Sequence, residues 1–129
     1  DLLNSVRTRA EATSITEANY DEMMSVRKKT HNLTFIDDST PEGKFRTALY
    51  WERGFELAFE GQRKYDLIRW GVLGKALKLF GEISSVNQKE NKPYPAYRNF
   101  TEGKHELFPI PLKEIQSNPK LNGMNNNGY

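Results

Sequence analysis

The sequence contains no cysteine, which excludes disulfide scaffolds, cysteine-based zinc sites and thiol catalysis while leaving the compartment open. No stretch approaches the roughly 18 apolar residues of a membrane span. An excess of one charge is also missing: 19 Lys+Arg against 17 Asp+Glu leave +2 with both His neutral. A dedicated nucleic-acid binder would carry a clear basic excess, so nucleic acid is not expected as a partner. Apolar residues are only 36% of the 129, lean for an independent core. Aromatics reach 12% and must carry much of whatever core exists. The length suits one domain and not comfortably two. The chain opens at Asp1 directly in an amphipathic pattern, with no signal peptide or lipidation signal. It is expected to be a piece of a longer protein.

What is present reads as helices joined by long loops. Leu2, Leu3, Val6 and Ala10 share one helical stripe, and residues 11–16 form a polar connector. Thr16 is placed to cap a second helix of about 17–30, with Ile15 and Tyr20 as a hydrophobic staple. The cluster of Asp, Ser, Thr, Pro and Gly within 32–44 predicts a loop. Phe45, Leu49, Phe55 and Phe59, widened by Trp51, Leu57 and Ala58, predict a third helix to about Glu60 that is packed on more than one side. Gly61 ends or bends it, Tyr65 and Ile68 continue in a short helix to Gly71, and Leu73, Ala76, Leu77 and Phe80 form a stripe that stops before Gly81. Residues 82–106 read as irregular. Leu107–Pro111 is extended by its two prolines, and Pro111 starts a short helix with Leu112 and Ile115 facing inward. Asn118-Pro119 stops that helix, and the Asn- and Gly-rich tail from Asn122 should have little intrinsic order. With no internal 34-residue repeat and no alternating strand, the expected class is all-α: an irregular helical domain with long loops.

Two constellations have chemical content. Glu52, Glu56 and Glu60 stand at four-residue steps, which would put them along one side of the third helix, with Arg53, Arg63, Asp66 and Arg69 following. A pair of carboxylates about 5–10 Å apart could cleave a glycosidic bond. Adjacent arginines favour instead an ion-pair network tying helices together. The hydrolase reading would require Glu52 or Glu56 to be accessible in a cleft with an elevated pKa. The second constellation is Tyr94, Tyr97, Arg98 and Asn99, with Phe100, on an expected surface loop. Flat rings stack on the apolar faces of sugars while Arg and Asn bind hydroxyls; alternatively, Tyr97 and Phe100 pin the loop to the helical body. Trp51 and Trp70, inside helical patterns, are expected in the core. The only histidines, His31 and His105, lie in connectors far from the glutamates, read as solvated, and give no metal site. No Gly-rich phosphate loop or Ser–His–Asp pattern is present, so no cofactor and no catalytic residue is expected.

Three segments in order resemble the C-terminal part of the SusD/RagB family: Leu3-Asn4-Ser5-Val6-Arg7-Thr8-Arg9-Ala10, then Glu52 through Arg63 running into Asp66-Leu67-Ile68-Arg69-Trp70-Gly71, and Leu107–Pro111 followed by Glu114-Ile115 and Asn118-Pro119. The departures are the ending Met124–Tyr129, where the family often closes in Gln-Asn-Pro-Gly-Tyr, and a long connector around residues 30–44. The resemblance implies a helical fold of tetratricopeptide type with an irregular C-terminal region. It implies a lipid-anchored, outward-facing outer-membrane protein that binds oligosaccharides, or peptides in some members, and hands them to a SusC-like TonB-dependent transporter without catalysis. It also implies that Glu52, Arg53, Glu56, Glu60, Arg63, Asp66 and Arg69 are structural. A free-standing helical module for a protein partner is the alternative reading of the residues.

Overall fold

A computed structural model describes residues 2–30, 33–87 and 95–129. His31 and Tyr94 lie outside the described residues. Seven α-helices and no strand occur among those described: α1 (Leu2–Arg9), α2 (Tyr20–Thr30), α3 (Pro41–Glu56), α4 (Arg63–Arg69), α5 (Leu73–Asn87), α6 (Pro95–Arg98) and α7 (Leu112–Ser117). The all-α class is therefore the observed one. None of the described helices is long and apolar enough to cross a membrane. The chain forms two compact units, residues 1–69 and 70–129.

In the first unit, α1 closes with Glu11 in the left-handed region at φ 55. Ala12 N–H donates to the Arg7 carbonyl at 2.8 Å and Glu11 N–H to that of Thr8 at 3.1 Å. This is a Schellman ending with glutamate where glycine is usual. The connector then returns along α1, because the Asn4 side chain accepts from Ile15 N–H and donates to its carbonyl, both at 2.8 Å. Thr16 does not cap α2 directly. It makes a reciprocal pair with Asn19 (Thr16 N–H to Oδ1 at 2.7 Å, Asn19 N–H to Oγ1 at 3.3 Å), which folds one turn and delays the helix to Tyr20.

Helix α3 begins earlier and ends sooner than its apolar spacing suggests. Thr40 Oγ1 accepts from Gly43 N–H at 3.1 Å and Pro41 occupies the first turn, so residues 41–44 are helical and not loop. The helix stops at Glu56, and Phe59 turns left-handed at φ 67. Its buried residues are Gly43, Thr47, Ala48 and Tyr50, a stripe rotated away from the phenylalanines. Residues 47–54 are all buried or half-buried, so the middle of the helix is packed on more than one side, whereas Phe45 and Phe55 are about half exposed and Phe59 stands fully in solvent. The core is small: Leu3, Tyr20, Met24 and Ala48, with Ile15, Leu49 and Trp51 packed partly against it. Trp51 thus lines the core's edge.

In the second unit Trp70 is half-buried, and α5 runs through Gly81 to Asn87. Leu73, Ala76 and Gly81 are buried along it. Residues 95–98, expected as loop, form one helical turn. Helix α7 has Pro111 as its N-cap; Ile115 is half-buried, whereas Leu112 is exposed and does not face inward. The tail is ordered by side chains that find backbone partners. Asn125 Oδ1 accepts from Ile110 N–H at 2.7 Å and its amide donates to the Ile110 carbonyl at 3.3 Å. Asn126 donates to the Phe108 carbonyl at 2.6 Å and the Tyr129 hydroxyl to that of Leu107 at 3.2 Å. An extended proline-rich segment has no ladder partner of its own, and these asparagines serve in place of a neighbouring strand.

Candidate functional site

The central charged motif resolves into three separate junctions in the first unit. Arg7 and Glu52 pair at 2.6 Å, their side chains only 7% and 14% exposed, and Arg7 Nε also donates to the Thr13 carbonyl at 2.7 Å. Arg53 grips Asp66 with two nearly parallel bonds of 2.7 and 2.9 Å, and Arg69 adds a third contact at 2.8 Å. Asp66 holds the Arg53 guanidinium above its ordinary pKa. Arg9 and Glu56 form an outer pair in solvent. Arg63 makes a different contact: it donates to the Tyr50 carbonyl at 2.8 Å and lies 3.9 Å from the centre of the Tyr50 ring. Glu60 follows the end of α3, is exposed, and stands outside these ion pairs. The four-residue register that would align it with Glu52 and Glu56 is broken at Leu57–Phe59. Neither Glu52 nor Glu56 is an open carboxylate, since an arginine occupies each.

The aromatic loop is arranged by glycines. A Cβ added at Gly81 would fall 2.9 Å from Tyr97 Cδ1, and one at Gly74 would fall 2.8 Å from Phe100 Cε1. Both rings are therefore laid directly on the α5 backbone. Arg98 and Asn99 are exposed beside them. His105, expected in solvent, is half-buried: its Nδ1 accepts from Thr101 N–H at 2.7 Å and its ring lies 5.9 Å from that of Phe100. No group of three or more acidic or histidine side chains that could hold a metal ion occurs among the described residues.

A site that sequence reasoning missed lies in the first unit. A cavity of about 400 Å³ is lined by Met24, Arg27, Lys28, Asp38, Thr47 and Trp51 together with Leu33, Thr34, Ile36 and Asp37. Its wall exists because the loop before α3 folds back onto Gly43, whose added Cβ would lie 1.6 Å from the Asp37 carbonyl oxygen. Lys28 and Asp38 pair across it at 2.8 Å, and the Tyr20 hydroxyl donates to Asp38 at 3.0 Å. The Lys28 ammonium holds the Asp38 carboxyl below its usual pKa, and Asp38 raises that of Lys28. Burial raises that of the Tyr20 phenol. Arg27 lies 5.1 Å from the Phe55 ring centre and 6.0 Å from that of Trp51, two rings stacked at 6.1 Å. A concave mix of an aromatic wall and a few fixed polar groups is the usual make-up of a small-ligand site. The available signal is Trp51 and Phe55 at i, i+4; the position of Asp38 is hidden in a segment that reads as loop.

The chain matches the SusD family model (SusD_RagB) over residues 1–129. It is 40% identical over 87 residues to SusD-like protein P25 of Formosa agariphila, covering 66% of this chain and 15% of that protein. It is 34% identical over 94 residues to SusD-like protein P2 of the same organism, covering 73% of this chain and 16% of the relative. The chain thus matches about 15% of the length of these curated relatives. No solved structure matches it.

Proposed function

Because the chain belongs to the SusD/RagB family, we propose that the protein captures nutrient oligosaccharides at the cell surface without catalysis and delivers them to a SusC-like TonB-dependent outer-membrane transporter. The observation that carries the reading is the family match along all of residues 1–129. SusD-like proteins are in general non-catalytic binding proteins, typically lipoproteins held on the outer membrane with the cargo side outward. The occupied carboxylates support that reading here: Glu52 and Glu56 are given to Arg7 and Arg9, so these two are not the free acid–base pair that glycoside hydrolysis needs. In this reading Glu52, Arg53, Glu56, Arg63, Asp66 and Arg69 hold the scaffold. Tyr97 fixes the 95–100 turn on α5, and Arg98 and Asn99 are its ligand-facing side chains. Release to a transporter suits modest affinity, built from stacking and hydrogen bonds without covalent capture.

A second reading, recognition of a peptide or protein, is favoured by the exposed Leu107, Phe108, Leu112 and Met124 of the second unit. A glycan array and a peptide array, both probed with the full-length protein, separate the two. Retention of one glycan class sustains the first reading. Retention of peptides with silence on every glycan transfers the function to the second.

A further inference from the structure

We propose that the cavity beside Trp51 receives an anionic sugar residue, with the Arg27 guanidinium meeting its acidic group and the Thr47 hydroxyl oxygen accepting from a neighbouring hydroxyl. This rests on the oligosaccharide reading above and adds the site and the charge of the ligand.

Three observations carry it. First, Arg27 forms no ion pair among the described residues. Its hydrogen bonds go to the Met23 carbonyl at 3.2 Å and the Met24 sulfur at 3.7 Å, and no carboxylate among the described residues pairs with it. The nearby Glu52 belongs to Arg7 at 2.6 Å. Two guanidiniums therefore stand near one carboxylate, which pairs with Arg7. Burial lowers the pKa of Arg27, and the Arg7 charge adds in the same direction. An incoming anion would relieve both.

Second, Thr47 lines the cavity and is 5% exposed; its hydroxyl faces the Tyr20 phenol oxygen as a donor, while its own oxygen accepts from no donor among the described residues. The adjacent Tyr20 phenol donates to Asp38. A buried hydroxyl oxygen that accepts no hydrogen bond costs free energy that a ligand hydroxyl would recover. Third, the guanidinium carbon lies 5.1 Å from the Phe55 ring centre and 6.0 Å from that of Trp51, so its charge is held beside the two rings. Arg held in this way offers a forked edge suited to carboxylate or sulfate.

Neither acid of the lining pairs with Arg27. Asp38 is neutralised by Lys28 at 2.8 Å. Asp37 is exposed, with its carboxylate held by the Ser39 N–H at 3.0 Å. A neutral sugar would leave Arg27 as it is, so an acidic one is the better fit.

The test is calorimetric titration of the full-length protein with tetragalacturonate, its carboxyl-reduced neutral counterpart and a sulfated galactan tetramer. Tighter binding of either anionic probe than of the neutral one, by about tenfold or more and weakening with salt, is the expected result. Uronate and sulfate as the source of the charge are told apart by which probe binds. Arg27→Met, which keeps the aliphatic stem on the rings, should abolish the preference for the anionic probes. Thr47→Val, of nearly equal shape, should weaken the anionic probe while leaving the preference. Equal binding of neutral and anionic probes overturns the anionic site and leaves glycan capture intact. Binding of an anionic probe that Arg27→Met does not change moves the site elsewhere and overturns the assignment. Silence toward these three probes overturns the anionic site alone; silence across the whole glycan array overturns the capture reading with it.

Discussion

In the first unit the Asn4 amide holds both backbone groups of Ile15, and in the second the Asn125 amide does the same for Ile110. Around this shared device the two units are built differently. The first joins its helices with long charged side chains, Arg7 to Glu52 and Arg53 to Asp66, around a small apolar cluster. The second brings aromatic rings down onto glycine backbone at positions 74 and 81 and straps its tail with amides. Charged pairs span gaps and leave room between elements, and one such pair, Lys28 and Asp38, lines the cavity. Ring-on-glycine contacts close the gap altogether. The difference teaches that a lean sequence can order itself in two ways, and that one of them leaves space for a ligand.

The comparison can be broken most forcefully at Gly43, where the first unit departs from its own rule and uses a close backbone approach. Gly43→Ala would drive a methyl into the Asp37 carbonyl oxygen, 1.6 Å away, and backbone cannot swing aside as a side-chain tip can. A loss of about 4 kcal/mol is expected, at the upper end for a single substitution. Urea unfolding of the full-length protein measures it, and a loss below about 1 kcal/mol would mean that the 33–40 loop yields freely.

Next comes Asp66→Ala. It strands Arg53 and removes the Arg69 contact, and the Asp66 side chain is only 6% exposed. Removing one partner of a buried pair costs about 3–5 kcal/mol; with Arg53 one-third exposed, about 3 kcal/mol is the expectation by the same measure. In the second unit, Gly81→Ala meets Tyr97 at Cδ1, Cβ and Cγ, all within 3.2 Å, and the near end of a side chain moves only with its backbone. The expected net loss is about 1 kcal/mol, overpacking less the gain in helix propensity. Gly74→Ala meets chiefly the outer edge of Phe100 and should cost less. If Gly74→Ala proved the worse of the two, the Tyr97 contact would not be what seats α6 on α5.

Much of this architecture is legible in the amino-acid pattern. The apolar stripes of α1, α4 and α5 place those helices, and the proximity of arginines to Glu52 and Asp66 points to ion pairing. The pairing partners are not legible: Arg7 and Glu52 are 45 residues apart, and sequence spacing describes only neighbours on one helix. The start of α3 is hidden because Pro41 and Gly43, loop formers by composition, also fit a capped first turn. The tail misleads for a related reason. Asparagine lacks helix and strand propensity, yet its amide is the side chain best matched to an extended backbone. The cavity needs α2, α3 and the loop between them at once, so no local pattern announces it.

The finest test of the comparison is pH. Lys28 lowers the folded-state pKa of Asp38 below the ordinary value of 3.8. The stability this pair contributes is therefore present above about pH 4 and is lost as pH falls through the lowered value. Lys28 itself is raised above 10.5, so its contribution is present below that pH and is lost as pH rises through the raised value. Burial raises Tyr20, and its contribution fades on the same alkaline side. Asp38→Asn should flatten the acid limb and weaken the alkaline one. Because the pair is 40% and 30% exposed, the effect is about 0.2–1 kcal/mol. Asn125→Ala removes three uncharged hydrogen bonds, two with Ile110 and one from Asn126 N–H, so its loss, about 1–2 kcal/mol, should be the same at pH 3, 7 and 10.5. Urea midpoints of both variants and the parent at those three values read the contrast. A pH-dependent Asn125→Ala, or an Asp38→Asn whose loss is equal at all three, would mean that charge does not divide the two units as their contacts indicate.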